Sequence, residues 1–265
     1  MSSSRIKNVF LNKEKKLVTF ITGGDPNIKI SEKILFSLAK NGADIIEIGM
    51  PFSDPMADGP TIQLASNRAI KNNINLDDIF LMCKSFRKKN NDIPIILMGY
   101  YNIILSYGIN NFTKSCEKNG VDGLIIVDLQ PDEDEELYDS IKTKKLDLIR
   151  LITPTTNSDR LSKILKQASG FLYYVAVAGI TGQKSGNINQ IKKSIKSVKV
   201  KTNLPIVIGF GIKNVNQARE ICQTAEGVVI GSAIIKIIEK NLNNSKEAII
   251  KISNFIKKLK KGISR

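Results

Sequence analysis

The sequence predicts an α/β fold, a single-domain (β/α)8 barrel, on three observations. Eight short, β-branched apolar runs alternate with longer amphipathic segments, almost every run ends at Gly, Pro or Asp, and glycine pairs cluster after the last runs. Alternation of this kind builds a parallel sheet, and eight is the strand number that closes a barrel. A doubly wound open sheet is the competing fold, but it has no need for glycines after its last two strands.

The predicted strands are Leu17–Ile21, Asp44–Gly49, Ile93–Gly99, Leu124–Val127, Leu146–Ile152, Phe171–Val177, Pro205–Gly209 and Gly227–Ile230. Residues 1–16 are expected to form an N-terminal helix or extension, 17–238 the barrel core and 239–265 a C-terminal helix. After the first strand, Ile30, Ile34, Leu35, Leu38 and Ala39 repeat at helical spacing, and Asn41-Gly42 is a stop signal. The interval from the second to the third strand is the longest and leaves room for one extra helix over Asp77 to Lys89. Pro131 followed by an acidic run to Glu136 predicts a helix start, with Pro in the first turn and carboxylates at the positive end.

Composition narrows the chemistry. The 265 residues are 42% hydrophobic and carry a formal net charge of +15, with no His and no Trp. The Lys residues spread along the whole chain among Asn and Ile, as solvated helix faces do, so the charge alone does not predict a nucleic-acid partner. Cys83, Cys116 and Cys222 lack metal-ligand spacing and are expected to be reduced thiols of the core or helices. The N-terminal segment has no signal-like apolar core, and no stretch approaches the roughly 20 apolar residues of a bilayer span. A cytoplasmic location is the expectation. Acid–base chemistry without His falls to carboxylates, Tyr or Lys.

The densest chemical signal runs from Glu47 to Pro60, Glu-Ile-Gly-Met-Pro-Phe-Ser-Asp-Pro-Met-Ala-Asp-Gly-Pro. Glu47 lies two residues before the end of the second strand and should point inward, near the C-terminal rim where such barrels carry their active sites. An unpaired buried carboxylate costs several kcal/mol, so it is kept either by a partner or by a function. Arg150 is the only clear basic residue within a predicted strand, and hence the candidate partner. Asp58 lies in a Pro- and Gly-rich loop suited to hold it over the pocket; an isolated Asp-Gly is otherwise a turn or helix cap. Gly209-Phe-Gly211 and Gly231-Ser232 follow the last two strands, and Gly179-Ile-Thr-Gly182 follows the sixth. Glycines there let backbone N–H groups approach a phosphate, helped by the next helix's dipole. Neither a dinucleotide fingerprint nor a P-loop is complete, because Gly209-Phe-Gly211 lacks a third glycine and no glycine directly precedes Lys184.

Phe20-Ile-Thr-Gly-Gly-Asp-Pro26, Glu47 through Pro60, Tyr100-Tyr-Asn102, Asp128, Gly179-Ile-Thr-Gly182, Gly209-Phe-Gly211 and Gly231-Ser-Ala233 occur in that order. Together they closely resemble the tryptophan synthase alpha subunit family, over about Leu17 to Ile238. The resemblance implies a (β/α)8 barrel that cleaves indole-3-glycerol phosphate to indole and glyceraldehyde 3-phosphate by a retro-aldol reaction. By similarity Glu47 is the acid–base residue and Asp58 accepts the indole N–H. Phe20 and Tyr100 line the indole pocket, Tyr173 lies beside the glycerol chain, and Thr181 bonds the Asp58 counterpart when a lid closes. Gly182, Gly211, Gly231 and Ser232 match the phosphate cradle. The Pro51–Asp58 loop, including Asp54, matches the surface that meets a beta subunit, in an α2β2 assembly through which indole is passed. Pyridoxal phosphate is expected only on that beta subunit, and no metal or cofactor on this chain. Ala176, Ala178 and Gln130 depart from the family pattern, which puts lid dynamics and intersubunit signalling in question.

Three other functions are distinguishable. Another phosphate-binding barrel of amino-acid or thiamine biosynthesis would share the late glycine loops but not the Glu47–Asp58 stretch. A barrel kept only as an allosteric partner would bind the beta subunit while Glu47→Gln changed little. A basic nucleic-acid binder, the most distant reading, would show salt-sensitive DNA binding.

Overall fold

The computed structural model describes residues 4–133, 135–176, 188–209, 211–212 and 214–264. Its sheet contains β1 (Lys16–Thr22), β2 (Ile45–Gly49), β3 (Ile95–Gly99), β4 (Gly123–Ile126), β5 (Asp147–Leu148), β6 (Arg150–Ile152), β7 (Leu172–Val175), β8 (Ile206–Gly209) and β9 (Gly227–Ile230). All pairings are parallel, in the order β5-β4-β3-β2-β1-β9-β8-β7-β6. The two ends of that order, β5 and β6, are consecutive in the chain and flank Ile149. They are one predicted strand, broken where it changes partner: β5 pairs with β4 and β6 with β7. Counted this way, eight strands close a barrel, as the apolar runs predicted.

Pleating explains how the barrel is filled. Val18, Ile45, Ile96, Ile125, Ile149, Phe171, Val207 and Val229, one from each of the eight strands or its edge, form a single inner cluster. Ile6 joins it from the helix Ser4–Val9, whose following Phe10 sits 5.8 Å, ring to ring, from Phe171. This layer closes the N-terminal end of the barrel. Alternate strand residues such as Leu17, Ile46, Leu97 and Ile208 face outward into a second, larger core under the helices.

The helices follow their sequence signals with two differences. The predicted stop at Asn41-Gly42 ends the helix Ile28–Lys40, with Gly42 at φ 107°, and Asn27 caps its start. The long interval after β2 holds two helices, Pro60–Lys71 and Leu76–Arg87, so the expected extra helix is present. The helix after β4 starts at Glu135 rather than at Pro131. Residues 131–133 instead form a turn, with Glu133 N–H donating to the Gln130 carbonyl (3.0 Å) and Asp132 drawn to Lys163 (2.7 Å). A short helix, Tyr101–Tyr107, with no strong periodicity to announce it, precedes Ile109–Lys118. Lys192, Lys193, Lys196 and Lys199 share the helix Ile188–Lys199 with buried Ile191, Ile195 and Val198, so its charge occupies the other face. All three cysteines are free, buried on helices, and held protonated by burial, with Cys83 pushed up to about 12 and Cys222 to about 11.

One buried ion pair fixes the wall of the later site. Asp25, just past β1, takes a two-pronged contact from Arg68 (2.7 and 2.9 Å), and Asn72 donates to the Pro26 carbonyl (2.6 Å). Both donors lie on or just beyond the helix Pro60–Lys71, which is thereby tied to the end of β1. Burial pushes the Asp25 carboxyl up and the guanidinium pulls it back down. Arg68→Met would leave that carboxylate buried without its cation. A stability loss of about 3–5 kcal/mol is expected in urea unfolding at pH 7, shrinking at acid pH as Asp25 takes a proton.

Candidate active site

Two residues along each strand from the closing layer lies the next inward row: Phe20, Glu47, Met98, Val127, Leu151, Tyr173, Gly209 and Gly231. Three predicted side chains, Phe20, Glu47 and Tyr173, thus share one ring, because the pleat repeats every two residues. The two glycines of that ring make the room. A methyl group at Gly209 would come within 2.6 Å of the Tyr173 hydroxyl, and one at Gly231 within 3.2 Å of Phe20 Cβ. On the row above, a methyl at Gly49 would strike the Phe20 ring at 2.6 Å. Gly209→Ala is therefore expected to displace Tyr173 and lower kcat/KM for the substrate proposed below by at least about tenfold, with little change in circular dichroism.

Above this ring a small cleft opens, lined by Phe20, Thr22, Met50, Asp58, Ser66 and Tyr100 among others. Glu47 belongs to the ring beneath, fully buried, and neither carboxylate oxygen has a hydrogen-bond partner among the described residues. Burial alone pushes its pKa up to about 8, so the carboxyl holds its proton at neutral pH. Arg150 does not neutralise it. Arg150 points outward between the inward Ile149 and Leu151, and its guanidinium reaches the Leu129 carbonyl (3.3 Å) and Gln167 (2.6 Å). Pleat parity decides this, and a tally of basic residues within strands could not.

Asp58 reaches the cleft from the loop after β2. Tyr100, at the end of β3, holds that loop at two points: its hydroxyl accepts the Ala57 N–H (3.0 Å) and donates to the Asp58 side chain. Phe52 stacks on the same ring, 5.1 Å between centroids at 29°. Gln63 adds a bond to the Asp58 carbonyl (2.8 Å). Burial raises Asp58 to about 6 against the pull of the Tyr100 hydroxyl, so it is ionised at pH 7. Both carboxylates, with burial the larger cause, drive the Tyr173 hydroxyl well above its ordinary value, and it stays protonated. The result is one protonated acid and one ionised acid, both close enough to act on the same neutral phenol.

The remaining candidates divide. Gly211 follows β8 at φ 62° with open space where a side chain would stand, and Gly231 and Ser232 begin the helix Ser232–Glu239. The register of β8 with β9 brings these two loops side by side at the rim. Thr181, Gly182 and Ala178 lie outside the described residues. Asp54 is on the exposed part of the loop beside Met56, which is 73% exposed, rather than in the cleft. Asp128 accepts the Tyr101 N–H (2.8 Å) at the start of the short helix. Ala176 is buried, and Gln130 is exposed. Sequence reasoning missed Thr22, Met50, Ser66 and Met98. Thr22 and Met98 could have been found by counting in twos from Phe20 and Ile96. Ser66 becomes visible only once its helix is placed. Among the described residues no group of His, Cys, Asp and Glu has a metal-binding arrangement, and no helix is long and apolar enough to cross a membrane.

Comparison with known proteins identifies the family. The family model described as tryptophan synthase alpha chain matches residues 6–264. The tryptophan synthase alpha chain of Petrotoga mobilis is 44% identical over 257 residues, 97% of this chain and 99% of that one. That of Zymomonas mobilis is also 44% identical, over 98% and 97% of the two chains. Among solved structures, tryptophan synthase subunit alpha from Legionella pneumophila superposes with a TM-score of 0.90 at 35% identity, covering 98% of this chain and 96% of its own. A tryptophan synthase structure from Mycobacterium tuberculosis also gives 0.90, at 27% identity over the full length of both chains. The chain belongs to the tryptophan synthase alpha chain family, and is a lyase of tryptophan biosynthesis.

Proposed function

We propose that this chain cleaves indole-3-glycerol phosphate to indole and glyceraldehyde 3-phosphate, with Glu47 as the acid–base residue and Asp58 as the anchor for the indole N–H. The reading is supported by two carboxyls at the C-terminal end of the barrel, Glu47 in the inward ring and Asp58 in the cleft above it, both acting on Tyr173, with burial pushing Glu47 up to about 8 and Asp58 to about 6. At neutral pH Glu47 has a proton to give. It passes that proton to the ring carbon bearing the side chain, and the ring nitrogen becomes positive. Asp58, ionised, accepts the N–H and stabilises that charge, an interaction stronger in the transition state than in the ground state. The Glu47 carboxylate then takes the proton of the neighbouring side-chain hydroxyl. The carbon–carbon bond breaks, its electrons restore the aromatic ring, the oxygen becomes the aldehyde carbonyl, and Glu47 is protonated again.

Tyr173, packed against Gly209, is proposed to lie beside the glycerol chain, and Phe20 and Tyr100, which line the cleft, to bound the ring. Backbone N–H groups of Gly211, Gly231 and Ser232, with Gly182, are proposed to hold the phosphate at the rim; Thr181 is proposed to meet Asp58 on closure. This route uses only the chain's own residues, with pyridoxal phosphate confined to a beta subunit. The exposed loop carrying Asp54 and Met56 is proposed to meet that subunit in an α2β2 assembly in the cytoplasm, passing indole onward. The test is an indole-release assay on indole-3-glycerol phosphate, with and without a beta subunit. Indole formed by the pair and absent with Glu47→Gln supports the assignment, and no indole under either condition overturns it.

A further inference from the structure

The cleft contains polar wall that the proposed cleavage does not use. With the indole N–H on Asp58, the rest of the cleft faces the six-membered carbocycle of the ring, and most of that wall is apolar: Phe20, Met50, Ile62 and Met98. Thr22 interrupts it. Thr22 ends β1, lines the cleft and is 1% exposed, and its hydroxyl has no hydrogen-bond partner among the described residues. Ser66, 4% exposed on the helix Pro60–Lys71, lines the same cleft. Neither hydroxyl is required by its element. Val suits a strand end as well as Thr does, and Ala suits a helix interior better than Ser. A buried hydroxyl left without a partner is a cost that a ligand able to hydrogen-bond it removes.

We propose that Thr22 and Ser66 form a polar subsite in the cleft that accepts a hydroxyl or amino substituent on the carbocycle of an indole, so that the chain takes ring-hydroxylated indoles in preference to alkylated ones of equal size. The inference rests on the function proposed above. Its test is the reverse condensation with glyceraldehyde 3-phosphate, in which the indole carbon bonds to the aldehyde carbon, loses its proton, and the aldehyde oxygen gains one. Indole, the 4-, 5-, 6- and 7-hydroxyindoles and the four matching methylindoles are compared on the full-length protein. At one ring position the hydroxyl compound should exceed its methyl counterpart in kcat/KM by about tenfold. Thr22→Val, which keeps the side chain's shape, should bring that ratio close to one, and Ser66→Ala should lower it. If Thr22→Val does not fold, the wild-type ratio and Ser66→Ala still decide. Condensation of indole with no hydroxyl isomer preferred overturns the subsite alone, as does a preference that survives both variants. Failure to condense indole at all overturns the subsite together with the cleavage function.

Discussion

Glu47→Gln is expected to lower indole release by at least roughly 100-fold and, in the same protein, to raise the melting temperature. The first effect follows from removing the fully buried acid of the inward ring beneath the cleft. The second follows from linkage. In the folded chain Glu47 is held near 8, whereas in the unfolded chain it ionises near its ordinary 4.5. Between those values the unfolded state releases a proton that the folded state retains. Stability is therefore complete below about 4.5 and drains away as pH rises toward 8, by on the order of 3 kcal/mol at pH 7. Glutamine keeps the shape and has no proton to lose. Thermal unfolding of both proteins at pH 5, 7 and 8.5 checks this, because the advantage of the variant should grow with pH. Near-native turnover, or a stability difference independent of pH, would contradict the environment assigned to Glu47.

Asp58→Asn is expected to cost about tenfold to 100-fold in kcat/KM, less than the loss at Glu47, since an amide oxygen still accepts the indole N–H but brings no charge. The pH profile separates the roles. In the wild type kcat/KM should rise through about 6 as Asp58 ionises and fall above about 8 as Glu47 loses its proton, with both limbs belonging to the pair. Asp58→Asn should flatten the acid limb and leave the alkaline one. An acid limb unchanged in that variant would assign it to another group.

Much of this was legible in the residues because a barrel strand is a local object. Ile45 to Gly49 is too short and too apolar for anything but a buried strand, and the glycines after the last strands mark the rim. Parity within β2 is enough to turn Glu47 inward. What could not be read depends on partners distant in the chain. The break at Ile149 exists because one strand must serve two neighbours, a property of closure and not of its own sequence. The Asp25–Arg68 pair joins residues 43 apart, and Tyr100 reaches back 43 positions to Ala57. Nothing near Asp58 announces that a tyrosine from the next strand will hold its loop. The helix expected from Pro131 is present but starts at Glu135, after a turn closed by the Glu133 N–H on the Gln130 carbonyl.

The burial of Cys83, Cys116 and Cys222 has a practical use. A thiol shut under helices and held protonated reacts with maleimides or aromatic disulfides only when its surroundings come apart. Cys83 and Cys116 lie on the helices that lead into β3 and β4, Leu76–Arg87 and Ile109–Lys118, and Cys222 lies on the helix after β8, across the barrel. Labelling kinetics read by mass would therefore time the opening of the two halves separately, without adding a probe to the protein.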